Sequence, residues 1–325
     1  MDVLITGAGG FVGGHLLTYL NRATDFVLHG TLISEAERRP ALSATCPDLW
    51  TLDLRDPAAV RDLLQAVRPE RIFHLAGQAY VPRSFEDPWD TLETNIRGTL
   101  NLFQAIRELD LPTRVLVVGS AEIYGVVRPD QLPLTEDTPF APSSPYSVSK
   151  VAQDMLALQY ALAYHIFTIR MRPFNHIGPG QNDRFAASNW ALQTAEIEAG
   201  KREPVVYVGD LSAARDFTDV RDVVRAYVLA LDKGEPGGVY HVCSGQGHTM
   251  QSILDKLISL STVSIEVQVD AQRLRPTDIP VLVGDYRRLR DRTGWHPEIP
   301  IDQSLRDVLD NWRQHVSSQR SGARG

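Results

Sequence analysis

Tyr146 and Lys150 stand four residues apart in the run Ser144-Pro145-Tyr146-Ser147-Val148-Ser149-Lys150. Proline suits a first helical turn, because its missing N–H has no partner there, so the run reads as a helix start. A four-residue spacing then puts the phenol and the ammonium on one helix face. A free phenol titrates at about 10 and is a poor acid–base group at neutral pH. A nearby ammonium favours the phenolate and draws that value towards the working range. Such a pair can move a proton on or off an alcohol or carbonyl oxygen. The alternative is a packed Tyr146 beside a solvated Lys150, and the surrounding chain decides between the two.

Other side chains have suitable chemistry. Ser120 and Glu122 lie in Gly119-Ser120-Ala121-Glu122-Ile123-Tyr124-Gly125, directly after the strand pattern Arg114–Val118. Open α/β sheets bind ligands at the carboxyl ends of their strands, so a hydroxyl there can meet a reacting substrate oxygen. Glu122 is either a second acid–base group or a salt-bridged loop acid. Arg215 stands just before a capped helix pattern that includes Asp219-Val220-Arg221-Asp222-Val223. Its guanidinium fork matches phosphate oxygens; the alternative is a surface pair with Asp216 or Asp219.

These residues need a scaffold, and the first half of the chain supplies its pattern. Val3–Thr6 is a short buried-strand run, followed by Gly7-Ala8-Gly9-Gly10-Phe11-Val12-Gly13. Val12, Leu16, Leu17 and Leu20 then recur at helical period. A strand, a glycine turn and a helix start together form a pyrophosphate cradle: the backbone can approach closely, and the helix N-terminus presents N–H donors. The next strand is expected at about Phe26–Thr31. An acid at its end favours NAD and a base favours NADP. Leu32 and Ile33 come first, then Glu35, Arg38 and Arg39, so neither rule is met cleanly; the leaning is to NADP, with use of both NADP and NAD left open, and a solvated loop is the alternative for Arg38 and Arg39. Asp53, after the strand Leu49–Leu52, can bond adenine's amino group or serve as a cap, since Asp56-Pro57 opens the next helix. The strand Arg71–Leu75 ends in the small pair Ala76-Gly77, over which a cofactor can lie, and His74 is expected to pack in the sheet. A helix at about 88–108 carries Leu92, Ile96, Leu100, Phe103 and Ile106 as a core stripe. Asn95 within it is either a water-mediated site residue or an ordinary buried Asn.

Composition narrows the function classes. The 325 residues are 43% hydrophobic and 22% charged, enough for one large or two modest globular domains. A net charge of -7 offers no basic footprint for nucleic acid. No apolar run is long enough to span a membrane, and the chain enters a strand at once with no signal-peptide pattern, so it reads as cytoplasmic. Cys46 and Cys243 are isolated, with no metal-ligand spacing. Neither a repeat nor a low-complexity linker is visible. The tail 317–325 is small and polar and is expected to fray.

Together the glycine turn, Ser120, Tyr146 and Lys150 resemble the extended short-chain dehydrogenase/reductase family, over nearly the whole chain. The run Phe174-Asn175-His176-Ile177-Gly178-Pro179-Gly180-Gln181 is similar to that of GDP-4-keto-6-deoxy-mannose reductases. GDP-mannose 4,6-dehydratases share its start but differ after it. The resemblance implies an α/β fold: a Rossmann-type doubly wound parallel sheet with a smaller, interleaved C-terminal substrate domain. The implied division is 1–173 plus about 211–242 for the dinucleotide, and about 174–210 plus 243–316 for the nucleotide sugar. It implies Tyr146 as the acid–base group and Ser120 as the group orienting the substrate oxygen. Lys150 is implied to hold the nicotinamide ribose and lower the pKa of Tyr146, with Asn95 supporting it through water. Implied cofactor contacts are Gly7, Gly10, Phe11, Val12, Gly13, Asp53, Leu54, Leu75, Ala76, Asn95 and Val118, with Tyr146 and Lys150. Asn175, Arg215 and Arg275 are implied to meet the substrate diphosphate and Asp278 its ribose hydroxyls; a local ion pair between Arg275 and Asp278 is the alternative. His176 is expected to be a structural turn residue.

The expected reaction is NAD(P)H-dependent reduction of a GDP-linked 4-keto-6-deoxy sugar to GDP-D-rhamnose. Dehydratases of the family use a Glu at the position of Glu122, which keeps GDP-mannose 4,6-dehydration as an alternative. Ala121, where dehydratases often carry a hydroxyl, weakens it. The C4 epimer, GDP-6-deoxy-D-talose, and a non-catalytic nucleotide-binding protein are further alternatives. A homodimer through the helices about 88–108 and 146–164 is expected.

Overall fold

A computed structural model describes residues 1–273 and 279–322 of the chain, so the expected contacts of Arg275 and Asp278 lie outside the described residues. Seven parallel strands form the main sheet. Their order is Gly238–Val242, Thr168–Pro173, Arg114–Val118, Arg71–His74, Asp2–Thr6, Val27–Leu32 and Asp48–Thr51. Strands that are buried on both faces read as unbroken apolar runs, which is why Val3-Leu4-Ile5 and Val115-Leu116-Val117 are fully buried. The chain begins in the middle. It steps outward twice, then returns to the other side of Asp2–Thr6, so the strand order reverses between Asp2–Thr6 and Arg71–His74. Ligands of such sheets lie in the crevice at that reversal.

Helices cover both faces. Leu16, Leu17 and Leu20 of the helix Phe11–Ala23 pack with Val223, Val224 and Tyr227 of Val220–Lys233 on one side. Leu63, Leu102, Phe103, Ala157 and Tyr160 pack on the other. Burying a side chain such as Leu or Phe contributes roughly 1.5–3 kcal/mol each, so these two layers fix the sheet that carries the site.

The remaining elements gather around the strand Ala214–Asp219. It pairs parallel with Asn175–Ile177 and Val281–Leu282, and antiparallel with Gly247–Thr249. The capped helix read after Arg215 begins at Val220 with Asp219 as its cap, and Arg215 itself lies in the strand that leads into it. Buried Asp216 explains the strand. Its carboxylate accepts from the Ser244 hydroxyl and from the backbone N–H groups of Ser244 and Gly245, which tie 214–219 to the neighbouring loop. Val205–Val208 pairs parallel with Glu266–Val269. Trp190, Phe217, Ile253, Leu257, Leu305 and Val308 form the core of this part.

Two further expectations shift. The segment 88–108 is not one regular α-helix: Pro88–Leu92 and Gly98–Glu108 flank a π-helical turn at Glu93–Arg97. The final helix also runs from Ile301 to Gly322, past the expected start of the tail. Among the described residues, no helix is long and apolar enough to cross a membrane.

Candidate active site

The helix Pro145–Tyr164 starts as its sequence dictates, with Pro145 in the first turn. Ser144 and Ser147 cap each other: the Ser147 N–H donates to Ser144 Oγ at 3.0 Å, and the Ser144 N–H donates to Ser147 Oγ at 2.9 Å. These bonds satisfy end groups the helix leaves unpaired and set the direction in which Tyr146 leaves it. Tyr146 and Lys150 are both buried, at 7% and 5% exposure, and the Lys150 Nζ lies 5.8 Å from the Tyr146 ring centre. Nζ donates to the Val118 carbonyl at 3.0 Å, the last residue of the strand Arg114–Val118.

Ser120 follows two residues later and caps the short turn Ala121–Tyr124, its Oγ accepting from the Glu122 N–H at 3.1 Å. The structure therefore brings Ser120, Glu122, Tyr146, Lys150 and Val118 to one carboxyl end of the sheet. The electrostatics differ from expectation. Burial pushes the Tyr146 phenol up to about 12; hydrogen bonding from Ser120 acts against this, and the Glu122 charge adds to it. Lys150 is itself desolvated, which lowers its ammonium to about 8. At neutral pH the phenol is protonated and the amine charged, a state that can donate a proton but not yet accept one.

The Asn95 amide donates directly to Ser149 Oγ at 2.8 Å and to the Gln78 carbonyl at 3.1 Å, and its Oδ1 accepts from the Gln78 N–H at 2.8 Å. The π-helical turn sets this reach; such turns are rare and concentrate at functional sites. Asn95 thus fixes the turn after Ala76 to the Tyr146 helix. A Cβ on Gly77 would come within 2.8 Å of Asn95 Oδ1. His74 packs in the sheet as expected, bonded to Thr6 and Thr99 on either side.

The glycine turn fits a dinucleotide. Gly7 has φ +73, which L side chains rarely adopt, and a Cβ on Gly13 would lie 2.3 Å from the Gly7 carbonyl. The helix Phe11–Ala23 has no side-chain cap and no acid in its first turn, so its leading N–H groups face the crevice without a competing carboxylate. Phe11 and Val12 open this helix, and Ala76 lies against Gly7. Leu75 packs at the edge of one core and Leu54 lies against Gly98. Asp53 is held by Arg55, whose guanidinium and backbone N–H both donate to it and keep its carboxyl below the usual range; the helix cap is Asp56.

Next to this crevice lies a cleft of about 620 Å³ lined by Asn175, Gln181, Arg184, Asn189, Arg215 and Arg273, among others. Asn175 and Arg215 were singled out in the sequence. Gln181, Arg184, Asn189 and Arg273 were missed as site candidates; polar residues scattered over three segments carry no spacing signal. His176 is a turn residue: its Nδ1 lies 3.2 Å from the Phe174 carbonyl and its ring stacks on Phe11. Behind the site, Asp154 is bonded by Arg170 at 2.8 Å and Arg172 at 2.8 Å, and Arg172 also donates to the Tyr124 hydroxyl. This buried cluster ties the Tyr146 helix to the turn carrying Ser120 and Glu122. Arg170-Met171-Arg172 was its available signal, because two arginines on one face of a buried strand require a carboxylate.

Comparison with known proteins adds an independent line. Residues 4–308 match the family described as GDP-mannose 4,6 dehydratase. The GDP-6-deoxy-D-mannose reductase of Pseudomonas aeruginosa is 38% identical over 317 residues, covering 98% of this chain and 99% of that one. A solved structure of RMD from Pseudomonas aeruginosa complexed with NADPH superposes with a TM-score of 0.86 at 38% identity, covering 97% and 99% of the two chains. A Thermus thermophilus UDP-glucose 4-epimerase in complex with NAD gives 0.83 at 30% identity, covering 96% and 99%.

Proposed function

The chain belongs to the GDP-mannose 4,6-dehydratase family of extended short-chain dehydrogenase/reductases, and from that premise we propose that it reduces the C4 ketone of GDP-4-keto-6-deoxy-D-mannose to GDP-D-rhamnose. It is an NAD(P)-dependent oxidoreductase whose bound cofactor supplies the hydride. The observation that supports the reductive reading is the 38% identity over 317 residues to the GDP-6-deoxy-D-mannose reductase of Pseudomonas aeruginosa, together with the placing of Ser120, Tyr146 and Lys150 at one strand end. A carbonyl becoming an alkoxide needs a proton donor, and the buried Tyr146 phenol, protonated at neutral pH, is the group proposed to supply it.

The remaining residues take roles around that transfer. Ser120 orients the carbonyl oxygen and stabilises its developing charge by hydrogen bonding. Lys150, with Val118 and Asn95, holds the nicotinamide ribose; Gly7, Gly10, Phe11, Val12 and Gly13 cradle the pyrophosphate. Asp53 with Leu54, and Leu75 with Ala76, flank the rest of the dinucleotide. Asn175, Arg215 and Arg275 hold the substrate diphosphate, and Asp278 its ribose. Distant binding of this kind fixes the sugar against the cofactor, which is where rate through positioning arises. Residues 1–173 plus about 211–242 bind the dinucleotide, and about 174–210 plus 243–316 the sugar nucleotide. Exposed Leu162 and Tyr164 on the Tyr146 helix and Trp89 on Pro88–Leu92 support a homodimer through these helices. The enzyme acts in the cytoplasm.

A second reading rests on Glu122. Its charge acts on Tyr146, which sets a carboxylate beside the proposed acid, and a carboxylate there is the group a dehydration needs to take the C5 proton. A simple assay separates the two. NAD(P)H consumption on adding the 4-keto sugar supports the reductase. A 4-keto product from GDP-mannose alone, without net cofactor use, supports the dehydratase.

A further inference from the structure

One buried histidine takes no part in the roles assigned above. His74 and Thr6 are paired at the ends of adjacent strands, at the point where the strand order reverses. Thr6, His74, Asn95, Thr99, Ser149 and Gln153 are all buried there. Their hydrogen bonds have a fixed direction. A carbonyl oxygen only accepts, so the Thr99 hydroxyl gives its one proton to the Asn95 carbonyl at 2.7 Å. Thr99 Oγ1 must then accept from the Gln153 amide at 2.6 Å and from His74 Nε2 at 2.9 Å. The ring is neutral, because burial and then the Lys150 charge lower it to about 3. Nδ1 is therefore bare and accepts from the Thr6 hydroxyl at 2.8 Å, and Thr6 Oγ1 accepts from the Ala76 N–H at 3.2 Å. Both ends of this chain reach working parts. Thr6 leads directly into the glycine turn. Asn95 bonds Ser149, whose hydroxyl donates to the Tyr146 carbonyl at 2.6 Å, and Gln153 lies on the same helix as Tyr146 and Lys150.

We propose that His74 is a positioning residue for the reduction: as a neutral ring protonated at Nε2, it holds the glycine cradle in register with the helix of Tyr146 and Lys150. Its acceptor nitrogen serves the cradle through Thr6, and its donor nitrogen serves the helix through Thr99 and Asn95. The other tautomer sets a bare nitrogen against a Thr99 oxygen that has no proton left to give. An imidazolium adds a second cation near Lys150. Either mismatch leaves buried polar atoms unpaired, which is costlier than the bond itself is favourable. The inference rests on the reductase reading for the reaction it serves, and the bond pattern stands apart from that reading.

Nitrogen NMR of the unaltered chain with labelled histidine reads the tautomer without turnover, the His74 ring being identified by its proximity to the Thr6 and Thr99 methyl groups. A protonated Nε2 and a bare Nδ1 are expected at neutral pH; a protonated Nδ1 overturns the proposal. Kinetics separate positioning from packing. H74Q keeps one donor and one acceptor, whereas H74L fills space with neither. H74L should lower kcat by about tenfold, the range for buried partners left unpaired, and H74Q should stay within about threefold of the unaltered chain. Equal kcat in the two variants would make the ring a filler and overturn the proposal. The two arms are cut singly by T6V and T99V, which nearly preserve shape. T6V should weaken NADPH in calorimetry by about tenfold while kcat at saturating NADPH is kept, and T99V should lower kcat by about tenfold. The same change in both, as a general loss of stability would give, also overturns it. An unaltered chain that never turns over sinks the reductase reading and this proposal together, whereas normal turnover with the wrong tautomer sinks this proposal alone.

Discussion

Lys150 donates to the Val118 carbonyl at 3.0 Å, two positions before Ser120. The bond ties the helix bearing Tyr146 to the strand end bearing Ser120, and it holds an ammonium in a buried place. The proposed acid and the proposed orienting hydroxyl are therefore fixed relative to each other by the cation that is proposed to grip the ribose. Lys150→Met should lower kcat and weaken cofactor binding together, whereas Tyr146→Phe should lower kcat by about 10²–10⁴ with cofactor binding kept. Single-turnover rates beside dinucleotide titrations check this split.

Reduction should lose rate on the alkaline side. Desolvation lowers Lys150 to about 8, so its charge is complete well below that pH and is lost as pH rises through it. Tyr146, at about 12, stays protonated throughout. The reductive kcat/KM should be flat near neutral pH and fall with an apparent pKa near about 8. In Lys150→Arg that limb should move to higher pH, because a guanidinium keeps its proton.

Asp154 neutralises part of two buried arginines. The side chains of Asp154, Arg170 and Arg172 are 1%, 8% and 3% exposed. Removing the carboxylate leaves uncompensated buried charge, so Asp154→Ala should cost about 3–5 kcal/mol in denaturant unfolding. The triple change to Asp154→Leu, Arg170→Met and Arg172→Met should recover much of that stability but lower kcat, because the turn holding Ser120 loses its tether through Tyr124.

Gly13→Ala should abolish dinucleotide binding. The added carbon would sit 2.3 Å from the Gly7 carbonyl, and the turn must open to admit it. Overpacking of this sort costs about 1–3 kcal/mol. Calorimetric titration with NADPH and a melting curve separate the binding loss from the stability loss.

Arg215 lines the cleft and is buried to 7% exposure. Arg215→Lys keeps the charge but loses the fork, so the KM for the sugar nucleotide should rise by about tenfold or more while cofactor affinity stays the same. Steady-state kinetics with the 4-keto substrate varied at saturating NADPH read it directly.

The extent to which this was legible in the sequence follows from where the signals are local. Strand, glycine turn and helix at 3–20 could be read because a buried parallel strand and a 3.6-residue stripe each leave a period. The Tyr146 helix could be read because Pro145 and the serine caps act within one turn. The strand Ala214–Asp219 could not: Arg215, Asp216 and Asp219 look like a polar helix entrance until Asp216 is seen accepting bonds from a distant loop. The π-helical turn around Asn95 leaves no pattern either, and the turn at Gln78 that Asn95 bonds lies seventeen residues away. The pairing of Asp154 with Arg170 and Arg172 is likewise set by tertiary contacts. The burial that raises the phenol leaves no pattern for the same reason, because helical spacing shows a neighbouring ammonium but not how deeply both groups are buried.

The central claim is hydride delivery to the sugar's C4 with Tyr146 as proton donor. The most direct measurement is NMR of the product formed from GDP-4-keto-6-deoxy-D-mannose and NADPH deuterated at the transferable position. The account predicts one deuterium at C4 of GDP-D-rhamnose and none in the Tyr146→Phe reaction mixture over the same interval. An untouched C4 ketone with undiminished NADPH, or a product carrying no deuterium at C4, would contradict it.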